Sequence, residues 1–372
     1  MYDMYEVIVF CILSILLSFI MTPLIRRLSF KIGAVDHPNH RRVNTKAMPS
    51  AGGLAIYLTF FFSIFFLQPI ELRESLPLFI ASSIIVLTGL VDDIRDISPK
   101  MKMVGILLAA TFIVVTNDLT VSFFTVPIFG MVTLPTWIGF PATILWVVAI
   151  TNAINLVDGL DGLASGISII SLASMGITSF FFLGPKSYIA TILIYTLVGS
   201  ILGFLPWNFN PAKIYLGDTG ALFLGFMISV FSLYSLKNVT MISLIIPIVI
   251  LGFPITDTIY AMLRRKLNNM PISSADKHHI HHRLMSLGLT HKQTVIVIYI
   301  IAAIFSLTAL LYPISTNIGI ILITILLLFG VELFVEMIGL VGENRRPLLN
   351  TLRKYANKVN KRTKGRHHDE QK

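Results

Sequence analysis

Long apolar stretches alternate with short polar and basic segments along most of the 372-residue chain. A helix needs about 20 mostly apolar residues to cross the hydrocarbon core of a bilayer. Eleven stretches meet or approach this length, and each predicts a transmembrane helix. They cover residues 4–25, 51–67, 78–91, 103–117, 137–153, 163–183, 188–205, 219–235, 241–262, 294–312 and 317–340. The predicted fold class is therefore an all-α polytopic membrane protein with about eleven transmembrane helices.

The distribution of basic residues predicts how these helices are oriented. Only 13% of the residues are charged, against about 25% in soluble domains. With the N-terminus outside, all of the 29 lysines and arginines except Arg73, Lys186 and Lys237 fall on the inner side. Cytoplasmic loops of membrane proteins carry such an excess. We expect an outside N-terminus, a cytosolic C-terminus and insertion in the cytoplasmic membrane. The net charge of +10 then requires no nucleic-acid partner.

The polar segments divide the chain into a membrane domain, residues 1–341, and a basic cytosolic tail, residues 342–372. Five predicted cytosolic loops of the domain are expected to form the active site, at residues 26–50, 92–102, 154–162, 206–218 and 263–293. On the outer side, β-rich residues around Pro127 and Gly130 predict a small extracytoplasmic β-hairpin. The tail is either attracted to anionic lipid or is a solvated basic end.

Six aspartates gather at the predicted cytosolic ends of the helices. Ionised side chains within a membrane are costly, so their clustering at one face requires a cause. A divalent cation bound with a substrate phosphate is such a cause, because Mg²⁺ takes one or two carboxylates, phosphate oxygens and water. These aspartates are Asp92, Asp93 and Asp96 after the third helix, Asp158 and Asp161 after the fifth, and Asp218 before the eighth.

The first of these acidic groups allows two interpretations. If the third helix continues through Asp96, its three aspartates share one face. Alternatively, one aspartate caps the helix and the other two pair with Arg95 and Lys100. In either case, Ser98-Pro99 is typical of the start of a helix, which places the beginning of the fourth span there.

Two further segments carry side chains suited to a nucleotide. Asn152, Asn155 and Asp158 recur every three residues and form a polar stripe, while Gly159 and Gly162 allow the backbone to turn and approach a ligand. The second segment places Trp207, Asn208 and Tyr215 just before Asp218, at the start of a helix, where anions are favoured. An aromatic ring beside amides suits a nucleobase. Trp207 alternatively belongs to an interfacial aromatic belt.

Four histidines occur within five residues of the basic loop, at His278, His279, His281 and His282, followed by Arg283. Zinc is one interpretation, but the single cysteine, Cys11, lies in the first span. Binding of a diphosphate beside Arg264, Arg265 and Arg283 fits the basic setting better. Asp257, in the ninth predicted span, is an intramembrane acid, which is functional by default, or pairs with a neighbouring helix.

These motifs closely resemble those of the polyprenyl-phosphate N-acetylhexosamine-1-phosphate transferases, and among them the bacterial enzymes that use UDP-GlcNAc and undecaprenyl phosphate. The matching strings are Pro49-Ser-Ala-Gly52-Gly53, Asp92-Asp93-x-x-Asp96, Asn152 to Gly162, Asn208 to Gly220, and His279-Ile-His281-His282-Arg283. They occur in the family's order across residues 36–293. Asn44 stands where relatives often have histidine, and His278 stands where many have glutamine.

The resemblance implies a reaction and a set of roles. It implies transfer of GlcNAc-1-phosphate from UDP-GlcNAc to undecaprenyl phosphate, with release of UMP, as the first membrane step of a cell-envelope glycopolymer such as teichoic acid. It implies Mg²⁺, which Mn²⁺ can replace, the lipid bilayer as environment, and a homodimer. The candidate catalytic residues are Asp92, Asp93, Asp158, Asp161 and His282, and the candidate metal ligands are Asp218, Asp92 and Asp93. The candidate substrate-binding residues are Lys46, Asn152, Asn155, Asp161, Asn208, Tyr215, Arg264, Arg265, His279, His281, His282 and Arg283.

Two other classes of protein explain fewer of these residues. An intramembrane prenyltransferase also uses aspartate-rich motifs with Mg²⁺ and a diphosphate, but it leaves Asn208, Tyr215 and the histidines unexplained. A transporter places ionisable groups near the bilayer midplane, often in repeated halves, whereas here they lie at one face and the sequence shows no repeat. The chain also lacks a Walker A string, so an ATP-driven machine is not indicated.

Overall fold

The computed structural model describes residues 4–37, 47–67, 71–126, 130–182, 187–237, 245–271, 279–340, 346–352 and 354. Within them the chain is mostly helical. The helices are α1 (Met4–Ile32), α2 (Gly52–Leu67), α3 (Leu72–Arg95), α4 (Pro99–Thr116), α5 (Thr136–Val157), α6 (Leu163–Phe182), α7 (Tyr188–Asn208), α8 (Gly217–Lys237), α9 (Ile245–Ile250), α10 (Gly252–Leu267), α11 (Ile280–Ser286), α12 (His291–Leu311) and α13 (Asn317–Ile338). The predicted fold class is confirmed.

In the described residues, each of the eleven predicted apolar segments lies mainly on helix, but these helices differ in length. Nine helices within the described ranges are long and apolar enough to cross a membrane. Helix α2 is a shorter apolar helix of 16 residues. The segment predicted at 241–262 is interrupted at Leu251, which separates α9 from α10. Pro254 explains the break, since it lacks the N–H that would continue the helical ladder to the carbonyl of Ile250.

Helix α8 lies at the centre of the bundle. In its spanning part 83% of the residues are buried, against 11% in α13, which has mostly apolar side chains on its exposed surface. Helices α2, α3, α5 and α6 pack around α8. Gly53 of α2 contacts Gly220 of α8 so closely that a Cβ on Gly53 would lie 2.0 Å from the Cα of Gly220. This contact fixes the start of α2 beside the start of α8.

The predicted β-hairpin is present as strands β3 (Phe123–Val126) and β4 (Gly130–Thr133), which pair antiparallel; its extracytoplasmic location stays a prediction. It connects the end of α4 to the start of α5. Because the start of α4 and the end of α5 both reach the aspartate cluster, the hairpin lies at the opposite end of the bundle. A second pair, β1 (Val35–Asp36) and β2 (Met48–Pro49), lies beside the aspartates and was not predicted.

Backbone hydrogen bonds join the segment around β2 to the residues that precede α8. The amide of Tyr215 donates to the carbonyl of Pro49 at 2.8 Å, and the amide of Gly52 donates to the carbonyl of Tyr215 at 3.0 Å. Gly217 then has a φ of +72°, and a Cβ there would lie 1.7 Å from the carbonyl oxygen of Ser50. Glycine is needed at this position both for the backbone conformation and for the close approach.

Candidate active site

One end of the bundle opens into a cavity of about 760 Å³ whose charged lining is dominated by carboxylates. It lies where α3 and α5 end and α8 begins. Among the described residues that line it there is no lysine or arginine. The seven lining aspartates are Asp36, Asp92, Asp93, Asp96, Asp158, Asp161 and Asp218, and the three lining histidines are His37, His282 and His291. The acids predicted to cluster are therefore brought to one cavity.

Asp93 joins α3 to the N-terminus of α8. Its Oδ1 accepts from the amide of Asp218 at 2.9 Å, and its Oδ2 accepts from the amide and the hydroxyl of Thr219 at 3.0 and 2.5 Å. The first amides of a helix have no partner within the helix, so a carboxylate from another element caps them. Asp93 thereby fixes where Asp218 lies.

Asp92 and Asp218 share the ammonium group of Lys102. Its Nζ lies 2.6 Å from Oδ2 of Asp92 and 3.1 Å from Oδ1 of Asp218, and the side-chain amide of Asn155 also donates to Oδ1 of Asp218. The other oxygen of Asp92 accepts from the amide of Ile97 at 2.9 Å. The interpretation in which the aspartates after α3 pair with basic residues is thus partly right. The basic partner of Asp92 is Lys102, whereas Arg95 and Lys100 were expected.

Of the two interpretations of this acidic group, the one in which α3 continues through Asp96 does not hold. The helix ends at Arg95, and Asp96 is its C-cap residue with φ 48° and ψ 70°, a left-handed conformation. Asp96 still lines the cavity, on the turn that leads to α4. The start of α4 is confirmed, because Pro99 is its first residue and the Ser98 hydroxyl accepts from the amide of Met101.

The turn after α5 holds Asp158 and Asp161 between two other elements. Oδ2 of Asp161 accepts from the Asn210 side chain and from the amide of Ala212, both at 3.1 Å. On the other side, the amide of Asp161 donates to Nε2 of His291 at 2.9 Å. Although part of Asp158 remains exposed, burial of its carboxyl group and the nearby charges of Asp218, Asp93 and Asp161 raise its pKa well above the usual range.

Helix α11 carries the histidine motif to the rim of the same cavity. His282 lines the cavity, while His281 is buried and packs on Gly159, where a Cβ would lie 2.5 Å from Nε2 of His281. Burial and the neighbouring His282 lower the pKa of His281 to about 3. His281 is therefore neutral at pH 7, so any contact with a diphosphate would be through a neutral ring. His278 lies outside the described residues.

The arginines predicted beside the histidines lie away from the cavity lining. Nη1 of Arg264 donates to the carbonyl of Leu340 at 2.9 Å, and Nε of Arg283 donates to the carbonyl of Ile338 at 2.6 Å. Both arginines therefore bind the C-terminal end of α13, where helix carbonyls lack partners within the helix. Arg265 is buried on the same helix as Arg264. A role of these three arginines in binding a donor diphosphate stays a prediction.

The amides predicted to contact a nucleotide are used in different ways. Asn208 lines the cavity but is buried; its oxygen accepts from Ser165 at 2.8 Å and its nitrogen donates to the carbonyl of Ile214 at 3.1 Å. Asn152 donates to the carbonyl of Val148, one turn back along α5. Tyr215 and Asn155 both line the cavity. Lys46 lies outside the described residues.

Four functional candidates escaped the sequence analysis. Lys102 and His291 contact the aspartates directly, and Asp36 and His37 line the cavity at β1. The spacing between Asp92 and Lys102 shows no local pattern, because a turn and a new helix intervene. His291 is the first residue of α12 and is distant in sequence from Asp161.

The carboxylates at the start of α8 fit a divalent cation of the Mg²⁺ type. Asp218 and Asp92 offer oxygens around a position that already holds a cationic group, the ammonium of Lys102. Among the described residues, no three histidine, cysteine or acidic side chains are arranged to hold a metal ion by themselves. Mg²⁺ does not require such a set, since it usually binds one or two carboxylates and completes its shell with substrate phosphates and water.

The protein is thus a membrane-embedded helical bundle with an acidic cavity at one end. Comparison with known proteins shows which class of enzyme has this arrangement. Residues 75–236 match the model of glycosyl transferase family 4. The chain belongs to this family of phosphate-transferring glycosyl transferases and is a multi-pass membrane enzyme. The resemblance to polyprenyl-phosphate N-acetylhexosamine-1-phosphate transferases is thereby confirmed.

Individual relatives cover most of the chain. It is 42% identical over 346 residues to a probable undecaprenyl-phosphate N-acetylglucosaminyl 1-phosphate transferase of Bacillus subtilis, covering 92% of this chain and 95% of that protein. An undecaprenyl-phosphate alpha-N-acetylglucosaminyl 1-phosphate transferase of Yersinia pestis is 32% identical over 76% of this chain and 78% of its own. A decaprenyl-phosphate N-acetylglucosaminephosphotransferase of Mycobacterium tuberculosis is 29% identical over 77% of each chain.

Proposed function

We propose that the protein transfers GlcNAc-1-phosphate from UDP-GlcNAc to undecaprenyl phosphate, giving undecaprenyl-diphospho-GlcNAc and UMP. An oxygen of the lipid phosphate forms a bond to the β-phosphorus of UDP-GlcNAc, and the bond from that phosphorus to the bridging oxygen of UMP breaks. The names of the relatives in Bacillus subtilis and Yersinia pestis support this donor and acceptor. The product would enter a cell-envelope glycopolymer, teichoic acid or another surface polysaccharide.

The observation that carries the proposal is the position of the acidic cavity at the end of the membrane helices. A lipid phosphate is held at headgroup depth by its chain, whereas a nucleotide sugar arrives from water. The two can meet only at such an end. The basic residues of the sequence favour the cytosolic side for this end, and we propose that the active site faces the cytosol.

The charge of the cavity supports a role for a divalent cation. Two substrates that carry phosphates would be repelled by seven aspartates unless positive charge accompanies them. Asp218 and Asp92, with Asn155 beside them, are the residues that would hold Mg²⁺ or Mn²⁺. When bound, the cation would neutralise charge on the phosphates during transfer.

The residues of the chain position the substrates around this point. Asp161 and Tyr215 line the cavity and would contact the nucleotide, and His282 faces the cavity from α11. Asp93 holds the start of α8 in place. Phosphoryl transfer depends mainly on positioning and charge neutralisation. These residues would supply the positioning, and a cation held by Asp218 and Asp92 would supply the neutralisation.

The proposal is tested with purified protein, undecaprenyl phosphate and labelled UDP-GlcNAc in detergent. We expect a labelled lipid and free UMP, both lost in EDTA and restored by Mg²⁺ or Mn²⁺. A control reaction contains UDP-MurNAc-pentapeptide, the donor of related translocases, which should be poor. Preferential use of that donor, or release of pyrophosphate in place of UMP, would overturn the assignment.

A further inference from the structure

Asp257 is a buried acid behind the cavity wall that the proposed reaction does not use. It lies on α10 with only 2% of its surface exposed. Oδ2 of Asp257 is 2.8 Å from Nδ1 of His279, and Oδ1 accepts from the amide of Ile280 at 2.8 Å. Both oxygens of one carboxylate are thus directed at the first two positions of the histidine motif. Such an arrangement is costly to bury unless these contacts are kept.

Helix α11 depends on this contact more than a long helix would. It has seven residues, and helices that short are marginal without tertiary support. Its N-cap residue, His279, makes no side-chain hydrogen bond to its own first turn. Asp257 supplies the missing acceptor from a different helix. Because a carboxylate accepts hydrogen bonds, it also selects the tautomer of His279 that carries a proton on Nδ1.

The position of α11 decides where the other two histidines lie. The rings of His279 and His281 are parallel, with centroids 6.0 Å apart, and those of His281 and His282 are 4.2 Å apart. His281 packs on Gly159, next to the turn that carries Asp161. His282 then faces the cavity. Rotation or shift at Ile280 would therefore be transmitted directly to His282.

We infer that Asp257 is a positioning residue for the donor side of the site: by holding His279 and the amide of Ile280 it orients α11 so that His282 faces the cavity. The inference rests on the proposed function for its kinetic consequence, though not for its structural one. Outer partners of this kind typically change activity by about 10–100-fold when they are removed.

The kinetic test compares Asp257→Asn with wild type in the full-length purified protein. The amide oxygen can accept one of the two hydrogen bonds, but the amide nitrogen presents a donor where an acceptor is needed. We expect kcat/KM for UDP-GlcNAc to fall about 10–100-fold, with an unchanged KM for undecaprenyl phosphate. In a double-mutant cycle, Asp257→Asn should cost much less when His282→Ala is already present. Equal costs in both backgrounds would overturn the inference.

A structural arm uses no substrate. Hydrogen exchange of the α11 amides, residues 280–286, should be faster in Asp257→Asn, while the α8 amides should keep their wild-type rates. Unchanged exchange in α11 would also overturn the inference. If the wild-type protein fails to transfer from UDP-GlcNAc, the proposed function fails, yet this arm still decides whether Asp257 holds α11.

A control variant separates positioning from general loss of packing. Ser232→Ala removes a partly buried hydrogen bond of 2.9 Å from Trp146 and a buried one of 2.6 Å to the carbonyl of Ser229. Ser232 lies about 22 Å along α8 from its start, at a rise of about 1.5 Å per residue. The Ser232→Ala variant should have the wild-type KM for both substrates and the wild-type hydrogen exchange of the α11 amides. Donor-specific effects in this variant equal to those of Asp257→Asn would show that any buried defect produces them.

Discussion

Replacing Asp93 with alanine should destabilise the protein, because the Asp93 carboxylate caps α8 from α3. The carboxylate accepts three hydrogen bonds, from the amide of Asp218 and from the amide and hydroxyl of Thr219, at 2.9, 3.0 and 2.5 Å. Alanine leaves two helix amides without their acceptor at the start of the central helix α8. Asp93 is a candidate catalytic residue, so a stability effect would separate its structural role from a chemical one.

The magnitude follows from the contacts that are lost. Removal of a helix cap costs about 0.5–2 kcal/mol. Hydrogen bonds to a charged group contribute about 1.5–3 kcal/mol each. Relief of repulsion from the nearby Asp218 carboxylate offsets part of the loss. We therefore expect the free energy of unfolding to fall by roughly 2–4 kcal/mol. Asp93→Asn should lose less, because its amide oxygen can still accept from Asp218.

Thermal unfolding in detergent, followed by tryptophan fluorescence, measures the change beside an activity assay. Asp218→Asn is the matched control. It removes one charge from the same cluster, but the Asp218 carboxylate accepts from the side chains of Lys102 and Asn155 rather than from helix amides. We expect Asp218→Asn to unfold near the wild-type temperature and to be inactive, because a neutral amide is a poor Mg²⁺ ligand. An Asp93→Ala protein that is inactive but unfolds at the wild-type temperature would refute the capping role.

Three further predictions concern the cavity and the topology. Lys102→Met should lower the unfolding temperature in EDTA, because the two carboxylates that the lysine bridges then lack a cation. Mg²⁺ should restore part of the lost temperature. An unfolding temperature that does not respond to Mg²⁺ would argue against a position shared by the ammonium group and the metal ion. Gly159→Ala should cost about 1–3 kcal/mol through overpacking against the histidine ring beside it. Gly330→Ala in α13, where an added Cβ meets open space, should not destabilise the protein in the same unfolding assay. In a cysteine-free background, a single cysteine at Asp96 should be labelled only from the cytosol and one at Glu74 only from outside; the reverse pattern would invert the topology.

The helices could be predicted from the sequence because length and apolarity alone determine which segments cross a bilayer. The break at Leu251 was missed, although Pro254 marks it, since two short apolar helices in succession look like one span. The pair of strands β1 and β2 was missed for another reason. Each has only two residues, and their pairing depends on contacts between segments rather than on a local pattern.

The aspartates of the site could also be predicted, because ionisable groups at the ends of membrane helices need a cause. The partners of these groups could not. Lys102 and His291 reach their carboxylate or amide partners through the tertiary fold. Arg264 and Arg283 lie close to the histidines in sequence, yet their side chains bind the end of α13. Their positive charge and their position near the histidines predicted that they bind a phosphate. Carbonyl groups at the end of a helix accept hydrogen bonds from the same guanidinium groups, and the sequence does not distinguish the two kinds of partner.

The acidic motifs of this cavity combine two kinds of carboxylate, which differ in whether their hydrogen-bond donors are backbone amides or side chains. Asp93 and Asp161 accept from backbone amides of other elements, which are fixed donors, and so they hold the cavity walls together. Asp218 accepts from the side chains of Lys102 and Asn155, which can turn away when a cation arrives. Loss of activity after substitution therefore does not by itself identify a metal ligand here. Activity and unfolding temperature must both be measured for the Asp93 and Asp218 variants. Only the two measurements together distinguish a residue that holds the cavity together from one that binds the metal.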